Sequence, residues 1–289
     1  MSYIGRFAPS PSGLLHFGSL VAALGSYFQA RSQQGKWLVR IEDLDPPREM
    51  PGAADKILRT LERYQLHWDG EVVYQSQRHH LYQQQIDTWL EEGQAYFCEC
   101  TRKQIKASGG YYLGTCRNKR LNHSDHCSVR LRMDNPVESF IDLRQGEIHI
   151  PTALAHEDFI IKRRDGLFAY NLAVVIDDIT QGVTEVVRGA DLIEPTGRQI
   201  SLYHTLHQTP ISYLHLPLAV DEHGNKFSKQ NHATAISDDH PKQDLQRAMK
   251  FLGFDLPKDF SDLTVENMID WGCKTWCLQQ LPSEIKIIA

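Results

Sequence analysis

Two polar loops, one near each end of the chain, set the terms of the fold. The first, 9–19, reads Pro9-Ser10-Pro11-Ser12-Gly13-Leu14-Leu15-His16-Phe17-Gly18-Ser19; the second, 226–230, reads Lys226-Phe227-Ser228-Lys229-Gln230 and follows Gly224. An apolar strand at 3–7 leads into the first loop and a helix beginning near His16 leaves it. Gly13, Gly18 and the N–H groups of that helix N-terminus can therefore close on an anion. The second loop carries two ammonium groups and can cover a triphosphate. Either loop alone is an ordinary turn or a solvated surface. Together they require a fold in which distant parts of one chain meet at a single phosphate site.

The pattern between them is α/β. Segments 3–7 and 37–41 read as buried strands and 16–33 as an amphipathic helix ended by Gly35. Helices at 53–64 and 80–93 follow a loop punctuated by Pro46, Pro47 and Pro51. A βαβ start of this kind implies a parallel sheet with ligands at the carboxyl ends of its strands. From Ala95 to about Ile161 the alternation breaks into cysteines, glycines, basic residues and short strands such as 128–133, which reads as an insertion. Alternation resumes at 170–178, 184–188, 194–207 and 213–217, and from Asp238 the pattern is helical with breaks at Pro241, Pro257 and Pro282.

Composition bounds the rest. The chain has 289 residues, 41% hydrophobic and 23% charged, enough for a large core split into two or three units. No run is long enough to cross a bilayer and no signal segment opens the chain, so a cytoplasmic protein is expected. A net charge of -5 argues against a protein that coats nucleic acid. The charge is uneven, however: between 101 and 132, Arg102, Lys103, Lys106, Arg117, Lys119, Arg120, Arg130 and Arg132 face one acid, Asp125, and Lys162-Arg163-Arg164 comes later. Such a patch suits phosphates. Within the same segment, Cys98, Cys100 and Cys116 offer three closely spaced thiols that favour a metal over a disulfide in a reducing compartment. Residue order leaves the fourth ligand open among His123, His126 and Cys127. Cys273 and Cys277, one turn apart near the end, read as small apolar side chains of a helix.

His16-Phe17-Gly18-Ser19 and Lys226-Phe227-Ser228-Lys229-Gln230 resemble the HIGH and KMSKS signatures of class I aminoacyl-tRNA synthetases. Ser19 stands for the second histidine, and Phe227 and Gln230 for Met and Ser. Arg6-Phe7-Ala8-Pro9-Ser10, Arg40-Ile41-Glu42-Asp43, the segment from Tyr170 to Asp177-Asp178, and Arg188-Gly189-Ala190-Asp191 are similar to the glutamyl-tRNA synthetase family over about the first 230 residues. The resemblance implies an α/β fold of the class I synthetase kind, a Rossmann-like parallel sheet made of 1–94 and 181–232. It further implies an inserted zinc-containing α/β domain at 95–180 of the acceptor-binding sort, a short helical stem-contact-like region at 233–289, and no anticodon-binding domain.

Glutamate is then the expected substrate, bound by Arg6, Phe7, Ala8, Pro9, Ser10, Glu42, Tyr170 and Arg188. Its two carboxylates suit the forks of Arg6 and Arg188, and its ammonium suits Glu42. ATP, with Mg2+, is expected on His16, Gly18, Lys226 and Lys229, with His16 and Lys229 catalytic. A subset of the family, the glutamyl-Q tRNA(Asp) synthetases, shares the pattern Cys-x-Cys, then Tyr, x3, Cys. That subset implies one structural Zn2+ on Cys98, Cys100, Tyr112 and Cys116, with Cys127 in reserve. The short stretch after Gln230 points the same way, to a monomer that acts on queuosine-containing tRNA(Asp).

Overall fold

The computed structural model describes residues 2–121, 126–222, 235–236 and 240–288. β1 (Ile4–Phe7) enters the loop 8–16, and α1 (Phe17–Ser32) returns the chain to β2 (Lys36–Ile41), parallel to β1 with Ile4 beside Lys36 and Phe7 beside Val39. α2 (Ala53–Arg63) leads to β3 (Val73–Tyr74), parallel to β2. After α3 (His79–Glu91) come β4 (Ala95–Cys98), α4 (Arg102–Ala107), β5 (Ser128–Leu131), the hairpin β6 (Ser139–Asp142) and β7 (Gly146–His149), α5 (Thr152–Ala155) and β8 (Ile160–Lys162). α6 (Tyr170–Thr180), β9 (Glu185–Gly189), α7 (Ile193–Thr205), β10 (Ser212–Leu216) and β11 (Leu218–Val220) complete the second βαβ run. α8 (Pro241–Phe251), α9 (Val265–Thr275) and β12 (Lys286–Ile288) close the chain.

Two parallel units make the central layer. β9 and β10 run parallel, and Thr184, just before β9, binds them to the first unit. Its N–H donates to the Ile4 carbonyl at 2.9 Å, and the Ile4 N–H donates to Thr184 Oγ1 at 3.0 Å. β1 and β9 thus start side by side, each followed by a helix, and their carboxyl ends open a crevice of the kind that binds ligands in doubly wound sheets.

The helix α1 is less amphipathic than its sequence suggests. Ala23, Ser26, Gln29 and Ala30 are buried as well as Phe17, Leu20, Val21, Leu24, Tyr27 and Phe28, because α1 lies between the sheet and α8 with α9. Gly25 makes that approach possible: a methyl group there would meet Leu216 Cδ1 at 2.5 Å. Pro241 does not break a helix but opens α8 at its first turn, where a missing N–H costs nothing. The final residues form a strand, β12, parallel to β11.

The segment 95–162 contains an antiparallel sheet, β4-β5-β8. The hairpin of β6 and β7, although it falls inside the span read as an insertion, joins the other sheet through β6 and β10, with Tyr213 beside Asp142. α6 packs on α3 and α7 through Leu172, Ala173 and Val175, in a cluster with Ile86, Trp89 and Leu202. Among the described residues no helix is long and apolar enough to cross a membrane.

Candidate active site

A cavity of about 590 Å³ opens at the carboxyl ends of β1, β9 and β10. Arg6, Phe7, Ala8, Pro9 and Ser10 line it from β1 and the loop beyond; His16 and Gly18 line it from the start of α1. Glu42 just after β2, Tyr170 at the start of α6 and Arg188 on β9 complete the residues expected to meet there. The loop is stitched to its neighbours by backbone bonds, Glu42 N–H to the Pro9 carbonyl at 3.0 Å and Met50 N–H to the Pro11 carbonyl at 2.9 Å. Lys226 and Lys229 lie outside the described residues. On either side of them, Leu218 and Ala219 line the cavity and Ala235 pairs with His16 as an isolated bridge.

Beneath the cavity floor is a buried ionic network. Arg6 Nε and Nη2 donate to the two oxygens of Asp178 at 3.2 and 3.3 Å. The fully buried Arg40 donates through Nη1 to Asp178 at 2.8 Å and to Gln181 at 2.7 Å, and through Nη2 to Glu42 at 3.5 Å. Asp177 accepts from Arg78 at 2.6 Å, Gln75 at 2.8 Å and Tyr82 at 2.7 Å. Adjacent carboxylates on α6 therefore fasten β1, β2 and the start of α3 together. Burial raises the Asp178 carboxyl, but Arg40 and Arg6 outweigh it and hold the group below its ordinary value. For Glu42 burial wins, and its carboxyl is raised in spite of Arg40 and Arg6. Glu42 is thus the acid in this network whose charge is incompletely met, a suitable seat for a cation.

This arrangement narrows what the two arginines have left to offer a ligand. The bidentate fork of Arg6 is occupied by Asp178, which leaves Nη1 without a partner among the described residues. Arg188 is likewise committed, with Nη2 on the Leu192 carbonyl at 3.2 Å and Thr196 Oγ1 at 2.7 Å, and Nη1 on the Tyr170 hydroxyl at 3.3 Å. Among the described residues, Arg6 keeps only its Nη1 edge for an incoming carboxylate, and Arg188 keeps a single Nη1 N–H. Arg40 and Asp178 stood inside segments noted for other residues, and no local pattern marked them as the scaffold.

His16 caps α1: its Nδ1 accepts the Ser19 N–H at 3.3 Å. The neutral ring must then carry its proton on Nε2, a donor suited to a phosphate oxygen.

The second candidate site lies at the end of β4. Cys98, Cys100 and Cys116 place their sulfurs within 4.8 Å of one another, Cys100 and Cys116 at 3.5 Å. The Tyr112 hydroxyl accepts the Cys116 N–H at 2.7 Å, so the phenol belongs to the same cluster. Burial, then the neighbouring sulfurs, push the Cys100 thiol up to about 12. Three converging thiols suit a soft, tetrahedral ion such as zinc. Among the described residues His126 and Cys127 stand outside this group, and His123 lies beyond those residues.

The basic patch is only partly a surface. Arg130 is buried, with Nε on Cys98 Sγ at 3.3 Å and its guanidinium 3.8 Å from the Tyr112 ring centre. Arg117 pairs with Asp158, and Lys119 with Glu99 at 2.8 Å. Arg102, Lys103 and Lys106 on α4, together with Arg120, remain exposed.

The family described as tRNA synthetases class I (E and Q), catalytic domain, matches residues 4–269. A relative in Vibrio cholerae, named glutamyl-Q tRNA(Asp) synthetase, is 72% identical over 99% of this chain and 94% of its own length. Another of that name, in Vibrio vulnificus, is 68% identical over 100% of this chain and 94% of its own. Among solved structures, a glutamate tRNA ligase from Elizabethkingia meningosepticum in complex with its amino acid superposes with a TM-score of 0.78 at 23% identity, over 97% of this chain and 66% of that one. That likeness shows the fold. The chain belongs to the class I tRNA synthetases of the glutamate and glutamine type, an enzyme family, and within it to the group named glutamyl-Q tRNA(Asp) synthetase.

Proposed function

We propose that the chain activates glutamate with ATP, without tRNA, and then transfers the glutamyl group to the cyclopentene diol of queuosine in the anticodon of tRNA(Asp). The observation that carries the first half is the charge balance of the cavity. Glu42, incompletely compensated, receives the α-ammonium of glutamate. The open edge of Arg6 and the paired Arg188 and Tyr170 receive its carboxylates, with Phe7, Ala8, Pro9 and Ser10 forming the wall between them. The name carried by relatives at 72 and 68% identity supports the acceptor.

The α-carboxylate attacks the α-phosphorus of ATP in line and displaces pyrophosphate, giving glutamyl-adenylate. No protein nucleophile is required, and the chain's part is to place the reactants and stabilise charge growing on phosphate oxygens. His16 Nε2–H, Gly18 at the helix N-terminus, and Lys226 with Lys229 are the groups assigned to that task. Mg2+ arriving with ATP supplies further positive charge at the triphosphate. A diol hydroxyl of queuosine then attacks the glutamyl carbonyl and AMP leaves. Zn2+, held by Cys98, Cys100, Cys116 and Tyr112, would cross-link the β4 region and has no part in the chemistry.

Glutamate-dependent exchange of label between pyrophosphate and ATP tests the activation step. It should proceed with glutamate alone; exchange that appears only after tRNA is added would remove the tRNA-independent step.

A further inference from the structure

His215 on β10 is fully buried directly behind Arg188, and the steps proposed above make no use of it. Its Nδ1 lies 2.7 Å from Asp142 Oδ2, which also accepts the His215 backbone N–H at 3.0 Å. Asp142 Oδ1 in turn accepts the N–H groups of Arg144 and Gln145 at 2.9 and 2.8 Å. A carboxylate held by so many donors acts only as an acceptor, so Nδ1 must bear the hydrogen. On the other side of the ring, Arg188 Nε lies 3.2 Å from His215 Nε2. Guanidinium can only donate, so Nε2 must present its lone pair. Thr196 Oγ1 is also 3.2 Å from Nε2, but its hydroxyl hydrogen has the nearer Leu192 carbonyl at 2.7 Å. One tautomer, neutral with hydrogen on Nδ1, satisfies every partner. Burial, together with Arg188, keeps the ring from protonating by holding its pKa below the ordinary histidine value, against the pull of Asp142.

Of the five N–H groups of Arg188, four are engaged among the described residues, by His215, Tyr170, Leu192 and Thr196, and one on Nη1 is left. The contact at Nε fixes the plane of the guanidinium and hence where that last N–H points.

We propose that His215, locked by Asp142 in its Nδ1–H tautomer, is a positioning residue that aims Arg188 at the amino-acid substrate and so sets the affinity for glutamate. Asp142 comes from the β6 hairpin, so that hairpin shapes the amino-acid pocket without touching it. The proposal rests on the reading of Arg188 as a glutamate-binding residue.

The test uses the whole chain and glutamate-dependent ATP–pyrophosphate exchange at saturating ATP. His215→Asn retains a donor for Asp142 but leaves Arg188 Nε without an acceptor, and should raise KM for glutamate by about 10-fold or more, the scale of one unsatisfied buried donor, with kcat little changed. His215→Gln brings a carbonyl towards Arg188 and should recover most of that loss. A KM for glutamate in His215→Asn equal to the parent's, or a loss confined to kcat, overturns the proposal and leaves the glutamate reading intact. A parent protein without glutamate-dependent exchange overturns both. Nitrogen-15 spectra of the unsubstituted protein give a second reading that needs no folded variant: His215 should show a protonated Nδ1 and an unprotonated Nε2. The opposite tautomer would end the proposal.

Discussion

The candidate active-site cavity and the cysteine cluster are both polar sites set in the fold, yet they are held in opposite ways. Around the cavity most charges have a counter-charge inside the protein: Arg6 and Arg40 on Asp178, Arg78 on Asp177, Arg188 among neutral acceptors. The scaffold stays together without ligand. In the cysteine cluster three thiols and a phenol converge with Arg130 as the cation in contact, and burial, then the neighbouring sulfurs, push Cys100 up to about 12. Such a cluster would gain stability from a soft ion such as zinc. On the function proposed above, the difference separates two roles in one chain: glutamate activation would rest on the sheet, and what the β4 region does would rest on the metal proposed there.

The comparison breaks most visibly at Asp178. Asp178→Ala leaves Arg6 and Arg40 buried with their main partner gone, which should cost about 3–5 kcal/mol, enough to unfold much of the protein. Denaturant titration measures it, and a loss under 1 kcal/mol would mean that the network is not the scaffold described. Lys229→Ala comes next: it should slow pyrophosphate exchange by about 10² or more, as for loss of one donor to a developing anion, while melting stays put. An unchanged rate would return Lys229 to an ordinary surface loop.

Metal removal sharpens the contrast. Freshly purified protein should hold one zinc per chain, lost in a Cys98→Ser plus Cys100→Ser variant. Chelation should expose amides of β4 and β5 to hydrogen exchange while β1, β2 and β9 remain protected. Transfer to RNA should fail and pyrophosphate exchange should stay within about two-fold, since metal binding there is folding energy for that region alone. Equal loss of both activities would erase the division. The smallest effect belongs to Thr101, whose hydroxyl accepts the Gln104 N–H and caps α4 in a reciprocal box. Thr101→Ala should cost about 1 kcal/mol of local order, seen as faster amide exchange in α4 and weaker RNA binding through Arg102, Lys103 and Lys106.

Much of this site was legible from residue order because parallel sheets gather distant strand ends at one edge. The resemblance to the synthetase family singled out Arg6, Glu42, Tyr170 and Arg188, and their places at strand ends or at a helix start agree with one crevice. What residue order did not convey was which of their hydrogen bonds the protein itself consumes. The fork of Arg6 goes to Asp178 on a helix that follows much later in the chain. Arg130 reads as part of a surface patch and instead stacks on Tyr112, because a period-two strand does not say which face is covered. The docking of β6 beside β10 and of β12 beside β11 are pairings between remote short segments, and three to five residues carry too little periodicity to announce them.

The most direct measurement follows the glutamate to its destination. The protein is given labelled glutamate, ATP and purified tRNA(Asp) with or without queuosine, and the charged RNA is cut with a nuclease that separates the anticodon fragment from the 3′ fragment. The account predicts label in the anticodon fragment, only when queuosine is present, and declining steeply with salt as phosphate contacts are screened. Label at the 3′ end, or equal labelling of tRNA(Asp) made without queuosine, would contradict it.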